Sequence, residues 1–403
     1  MTFNLNQFLL ALSDALDFVE IDTLGSTAYH SKRVSYISLR LAEYFNLNDA
    51  EKFDLCSFSI LHDNGLSEET LIIDSSSNPK KSNHNQLEQF REHCDIGEKN
   101  VKNFPFLTDH KNIIKYHHEN YDGSGFFGLK GDEIPLLAQI IALADTVDNL
   151  FHFENPSIAN RKKIIEFINK NENIYYSPKI VEYFNILSQN TAFWLDLQSV
   201  KLEDYILNRI ESFIIEVSYD ELIKISSVFS HIVDSNSTFT AVHSSGLSQK
   251  VEILSKFYNF DSNKVKKMII AANLHDIGKL AIPNSILDKN GKLTEDEYAV
   301  IKSHTYYTRV ALEKIDGFEE ITDWAANHHE KLDGKGYPYG LSSEKISFEC
   351  RLMGCLDMYQ ALTENRPYRA GLTHEKTVSI LYEHAEKGYI DSKIVKDIDI
   401  VFR

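Results

Sequence analysis

Cysteine is scarce in this chain: among 403 residues there are only Cys56, Cys94, Cys350 and Cys355, and no two have Cys-x-x-Cys spacing. That excludes a disulfide framework and a thiolate zinc knuckle, and it predicts a reduced chain in the cytoplasm. Positive charge is also short, with 42 Lys and Arg against 59 Asp and Glu and a formal net charge of -17. Duplex nucleic acid and anionic membranes are held by basic surface, so neither is an expected partner. An anionic substrate would need locally placed cations. Long uncharged apolar runs are missing too, and none approaches the roughly 20 residues of a membrane span. The first 20 residues lack a basic leader and read as an amphipathic helix.

What is present is globular in composition and long enough for two domains. Helical periodicity runs through nearly all of it, with apolar residues such as Leu9, Leu12 and Leu16 recurring every three or four positions. Further helices are predicted over 30–45, 48–61, 91–104, 134–150 and in the 158–187 region, and 190–220 reads as a connector helix. Residues 73–88 are polar and low in complexity, and read as a loop. Thr294 with Glu297 forms a capping box and starts another helix.

A repeat organises the whole. His30 and His62-Asp63 are separated by 32 residues, as are His243 and His275-Asp276; His93 to His117 and His304 to His328 both span 24. The ends agree as well, with 176–181 resembling 390–395. A unit of roughly 185 residues, the size of one all-helical domain, has been duplicated. The predicted organisation is all-α, with domains over 1–189 and 221–403 joined by a connector over 190–220.

The second copy gathers His243, His275, Asp276, His304, His328, His329 and Asp357 from at least four helices. Imidazoles and carboxylates without thiolates suit two six-coordinate first-row cations, iron or manganese, better than a structural zinc cage. Two such metals lower the pKa of a bridging water and clamp the oxygens of an in-line phosphoryl displacement. Phosphoester hydrolysis is the expected reaction class.

Residues 222–403 resemble an HD-GYP domain, a bacterial branch of the HD phosphohydrolases. The resemblance rests on His275-Asp276-Ile277-Gly278-Lys279, on His328-His329-Glu330 with Asp333-Gly334-Lys335-Gly336-Tyr337-Pro338, and on Arg366-Pro367-Tyr368-Arg369. It implies a helical, metal-dependent phosphodiesterase that opens a cyclic dinucleotide, cyclic di-GMP foremost and 3′,3′-cyclic GMP-AMP in some members. It further implies that Asp276 bridges two metals, with His243, His275 and Asp357 completing one site and His304, His328 and His329 the other. Lys279 would serve the scissile phosphate, Arg366 and Arg369 would hold phosphates, and Tyr337 would touch a base. A glutamate that brings a third metal in some relatives is replaced here by Phe239. A homodimer, and a signalling protein docking through the Gly336-Tyr337-Pro338 loop, are the protein partners considered. Another HD phosphohydrolase acting on nucleotides, or a non-catalytic dinucleotide sensor, remains the alternative.

The first copy keeps the ligand set as His30, His62, Asp63, His93, His117, His118 and Asp145, so a second metal centre is expected there. Its substrate residues have changed. Leu66 stands at the place of Lys279, Phe126-Phe127 follow Gly125, and Glu154 and Ser157 replace the two arginines. An acid at a phosphate-binding position repels a dianion, so this copy is expected to be structural or regulatory.

Overall fold

The computed structural model describes residues 1–24, 27–66, 91–151, 157–236, 243–289, 291–365 and 370–403. Among them, helices dominate, and the β-structure is a short ladder of Thr2–Phe3 with Ile215–Glu216. The chain forms two compact units, one of Asn4–Ile215 and one of Glu216–Arg403 together with Met1–Phe3. No described helix is long and apolar enough to cross a membrane. Phe239, Glu154, Arg366, Arg369 and the loop expected over 73–88 lie outside the described residues.

In the unit of Asn4–Ile215, the helix His30–Ala42 is buried along its entire length. It carries Lys32, Arg33 and Arg40 into the interior, and such charges survive there only when paired. Lys32 meets Asp14 at 2.7 Å and Glu203 at 3.2 Å, while Arg33 meets Asp148 at 2.5 Å. Beside it runs Asp49–Leu61, which begins at a reciprocal capping box of Asn48 and Glu51 and stops at His62. The helix expected over 91–104 is Glu92–Asn100 followed by a 3-10 turn, Val101–Asn103. Leu136–Leu150, Ile158–Lys170 and Pro178–Ser188 follow. Over 190–220 the chain makes two short helices, Thr191–Asp196 and Leu202–Leu207, rather than one long one. In the first of these the buried Trp194 indole N–H donates to the Ser188 carbonyl and ties the helix to its predecessor.

The second unit repeats the plan. Tyr219–Ser235 starts at a capping box of Ser218 and Glu221, His243–Phe257 buries a stripe through His243, Leu247, Val251 and Leu254, and Ser262–Leu274 runs from its Asp261 cap to His275. The predicted box at Thr294 and Glu297 is made in both directions and opens Glu295–Leu312. Glu319–Ala326, Phe348–Thr363, His374–Glu386 and Ser392–Val401 complete the unit.

Candidate metal centre

In the second unit, three histidines are oriented by one device. His275 Nδ1 lies 2.7 Å from the Ala272 carbonyl, His304 Nδ1 2.7 Å from that of Ile301, and His328 Nδ1 2.6 Å from that of Ala325. Each ring thus folds back onto the residue three positions earlier. A carbonyl only accepts, so Nδ1 carries the proton and Nε2 of the neutral ring presents a lone pair. Those three Nε2 atoms and Asp276 Oδ1 are buried without a hydrogen-bond partner. A buried acceptor with no donor costs about 1–3 kcal/mol, and cations bound among these atoms would satisfy them.

The donors fall into two groups. Ligand atoms of His243, His275 and Asp276 lie within 4.8 Å of one another, and so do those of His304, His328 and His329. Both carboxylates reach across the division. Asp276 Oδ2 is 3.0 Å from His275 Nε2 and its Oδ1 is 3.4 Å from His304 Nε2. Asp357 Oδ1 is 3.0 Å from His243 Nε2 and its Oδ2 is 3.9 Å from His329 Nδ1. Burial opposes ionisation of Asp276, yet His275 and Lys279 hold its carboxyl well below the ordinary range; burial likewise opposes that of Asp357, which His243 holds down. Burial pushes His304 down to about 3 and His329 to about 4, leaving both rings neutral and able to ligate. Against burial, the Asp357 and Glu364 carboxylates at its two ring nitrogens push His243 up to about 9, so a metal there would displace a proton; the residues present fit divalent metal ions in number and chemistry of donors.

Lys279 Nζ lies 2.6 Å from Asp276 Oδ2, at the edge of the cluster. The Tyr337 ring stands 4.9 Å from that of His329 and 6.3 Å from that of His304. A cavity of about 250 Å³ adjoins His329 and Asp357, and its walls include Leu332, Cys355, Met358, Ala361, Tyr389 and Ile390.

In the unit of Asn4–Ile215 the same pattern recurs. His30, His62 and Asp63 form one group, and Asp63, His93, His117 and His118 another. His62 and His117 fold onto the carbonyls of Ser59 and Ile114, at 2.9 and 2.5 Å. Asp145 Oδ1 lies 3.4 Å from His30 Nε2, and Asp63 Oδ1 lies 3.5 Å from His93 Nε2 and 3.4 Å from His117 Nε2. Leu66 is buried, the Phe126 ring packs 5.8 Å from His118, and Ser157 caps the helix Ile158–Lys170.

The sequence profile of the HD domain matches residues 21–180 and again residues 227–394. The chain belongs to the HD domain family. Over 99% of its length it is 28% identical to the 3'3'-cGAMP-specific phosphodiesterase 1 of Vibrio cholerae, of which the match covers 91%. The cyclic di-GMP phosphodiesterase PA4108 of Pseudomonas aeruginosa is 32% identical over 39% of this chain and 38% of its own. A crystal structure of a cyclic GMP-AMP-specific phosphodiesterase of V. cholerae shares the fold, with a TM-score of 0.71, 23% identity and coverage of 100% of this chain and 98% of that one.

The two HD regions also share supports that the sequence reading missed. Asp17 accepts from the Ser31 amide and hydroxyl, and Asp234 does the same for Ser244, so a buried carboxylate pins the residue after each leading histidine. Glu330 takes the amides of Tyr339, Gly340 and Leu341, and Glu119 those of Phe127 and Leu129, each clamping the loop that follows the paired histidines. Gly278 and Gly65 are points of close backbone approach. A Cβ at Gly278 would lie 2.0 Å from the His304 carbonyl oxygen, and one at Gly65 would lie 2.2 Å from that of His93. Gly278→Ala should therefore destabilise the chain by about 1–3 kcal/mol and displace His304, read as a lower urea midpoint and weaker metal binding. An unchanged midpoint would contradict this packing.

Proposed function

We propose that the second HD region hydrolyses a cyclic dinucleotide, 3′,3′-cyclic GMP-AMP foremost, and that the first holds metal without doing the chemistry. Residues 221–403 would be the hydrolase, 1–189 the disarmed copy and 190–220 their connector. The observation that carries the reading is the pair of donor groups bridged by Asp276, with Nε2 of His275, His304 and His328 and Oδ1 of Asp276 buried and bare. Of the relatives, those matched over 99% and 95% of this chain bear the cyclic GMP-AMP name, whereas the cyclic di-GMP phosphodiesterase of P. aeruginosa matches 39%. Four buried thiols, none in a disulfide, accord with a reducing compartment, the cytoplasm.

Two divalent metals, iron or manganese, would supply an activated water and a clamp on the phosphoryl oxygens when bound. His243, His275 and Asp357 would hold one and His304, His328 and His329 the other, with Asp276 shared. The remaining work belongs to the chain. Lys279 is placed to meet charge developing on the phosphoryl group, and the resemblance of the sequence motif assigns Arg366 and Arg369 to the phosphates that an acidic surface would otherwise repel. Tyr337 offers a ring for a base to stack on.

The cavity beside His329 and Asp357 is apolar on most of its wall and would take a purine. In the first region the residue matching Ile390 is Tyr176, buried with its hydroxyl 2.8 Å from Thr146 Oγ1. Ile390→Tyr should therefore fill the cavity and raise KM about tenfold, the equivalent of roughly 1.4 kcal/mol, with a smaller change in kcat. An unaltered KM would remove the cavity from the substrate site. The overall reading is tested by supplying the manganese-reconstituted protein with cyclic GMP-AMP and cyclic di-GMP and separating the products. Linear dinucleotide from cyclic GMP-AMP, lost on chelation, is expected; tight binding of either ligand with no product would mark a sensor instead.

A further inference from the structure

The two HD regions anchor their leading histidine with carboxylates drawn from different places. In the first, His30 Nδ1 lies 2.7 Å from Asp148 Oδ2, and Asp148 stands three residues after the ligand Asp145. That carboxylate is shared with a cation, since Arg33 Nε donates to Oδ1 at 2.5 Å and Nη2 to Oδ2 at 3.0 Å. In the second, His243 Nδ1 lies 3.0 Å from Glu364 Oε2, seven residues after Asp357. The position matching Asp148 is Gln360, and the one matching Arg33 is Gly246.

These three differences form one exchange. Gln360 donates from Nε2 to Glu364 Oε2 at 3.2 Å and accepts from Lys250 Nζ at 2.6 Å. A Cβ on Gly246 would come within 2.3 Å of Gln360 Nε2, so the glutamine fills the space that a larger residue at 246 would need. The position that carries a carboxylate against a guanidinium in the first region thus carries, in the second, an amide that links Glu364 to Lys250. Glu364 is itself buried, at 7% exposure.

We infer that Glu364 is the positioning residue of the second centre, a relocated carboxylate that fixes the His243 ring and turns its Nε2 toward the group formed with His275 and Asp276. It touches neither substrate nor reacting atoms, and acts through His243. A carboxylate behind a ligating imidazole raises its donor strength, and losing such a partner typically weakens metal binding about 10- to 100-fold. The inference rests on the reading of this cluster as a metal centre.

Manganese alone is the probe, titrated by calorimetry into the full chain carrying Asp63→Asn so that the second region is reported. Adding Glu364→Gln, an isosteric change whose carbonyl can still accept from Nδ1, should weaken the tighter manganese step about 10- to 100-fold while the helical circular dichroism is retained. Adding Gln360→Asp to that chain should restore affinity, because Asp148 shows that an aspartate three residues past the ligand acid reaches the same ring nitrogen. Only a relocated charge predicts that rescue; a purely structural role does not. Wild-type affinity in Glu364→Gln, or no recovery with Gln360→Asp, would overturn the inference. A parent chain that binds no manganese would instead overturn the metal reading beneath it.

Discussion

Asp276→Asn should lower turnover of cyclic GMP-AMP at least about 10³-fold, a barrier increase of roughly 4 kcal/mol. The side chain keeps its shape but loses the charge that faces both donor groups, 3.0 Å from His275 and 3.4 Å from His304. An amide nitrogen offers no lone pair to a metal, so at least one of the two sites loses a ligand and the shared position loses its anion. The effect belongs in kcat as well as in metal content, since both donor groups are assembled around this one carboxylate. Steady-state kinetics at saturating manganese, with metal analysis on the same samples, measures both. Turnover within tenfold of the wild type would mean that Asp276 is a spectator.

Lys279→Leu, which installs the residue found at Leu66, should cost about 10²- to 10³-fold in kcat while metal is retained. Lys279 Nζ sits 2.6 Å from Asp276 Oδ2, on a side chain about one-fifth exposed, so it reaches both the cluster and solvent. No histidine or carboxylate of either donor group is altered by the substitution. What disappears is a cation positioned where phosphoryl charge would develop. Leucine is buried at the matching place in the first region, which argues that the fold tolerates it. Loss of metal together with activity would instead make Lys279 a support for Asp276.

Much of this was legible in the sequence because helix starts and ligand positions are local signals. Thr294 with Glu297 is a polar pair at cap spacing, and the structure makes that box reciprocally; the helix expected from 48 opens on a box of Asn48 and Glu51 that the sequence reading missed. The duplicated spacing of His30 to His62 and His243 to His275 located the donors without any contact being known. What stayed hidden depends on tertiary placement. Glu364 and Asp148 serve the same ring atom from offsets of seven and three residues, so aligning the copies places them in different columns. Glu330 reads as part of a signature, and only the fold reveals that its carboxylate closes the following loop. The segment over 190–220 breaks after Asp196, where the Gln198 and Ser199 amides turn to the carbonyls of Leu195 and Asp196, and helical periodicity does not encode that.

The division of labour between two similar donor sets is tested most directly by Asp63→Asn, with metal content and cyclic GMP-AMP turnover measured on one preparation. Asp63 belongs to both donor groups of the first region, and Asp276 in the second belongs to one and reaches His304 of the other. The expected result is a chain that has lost metal from its first region and still turns over within a few-fold of the wild type, well under the roughly 1.4 kcal/mol that a tenfold change represents. Abolished turnover with metal still bound in the second region would contradict the account and place the chemistry in the first.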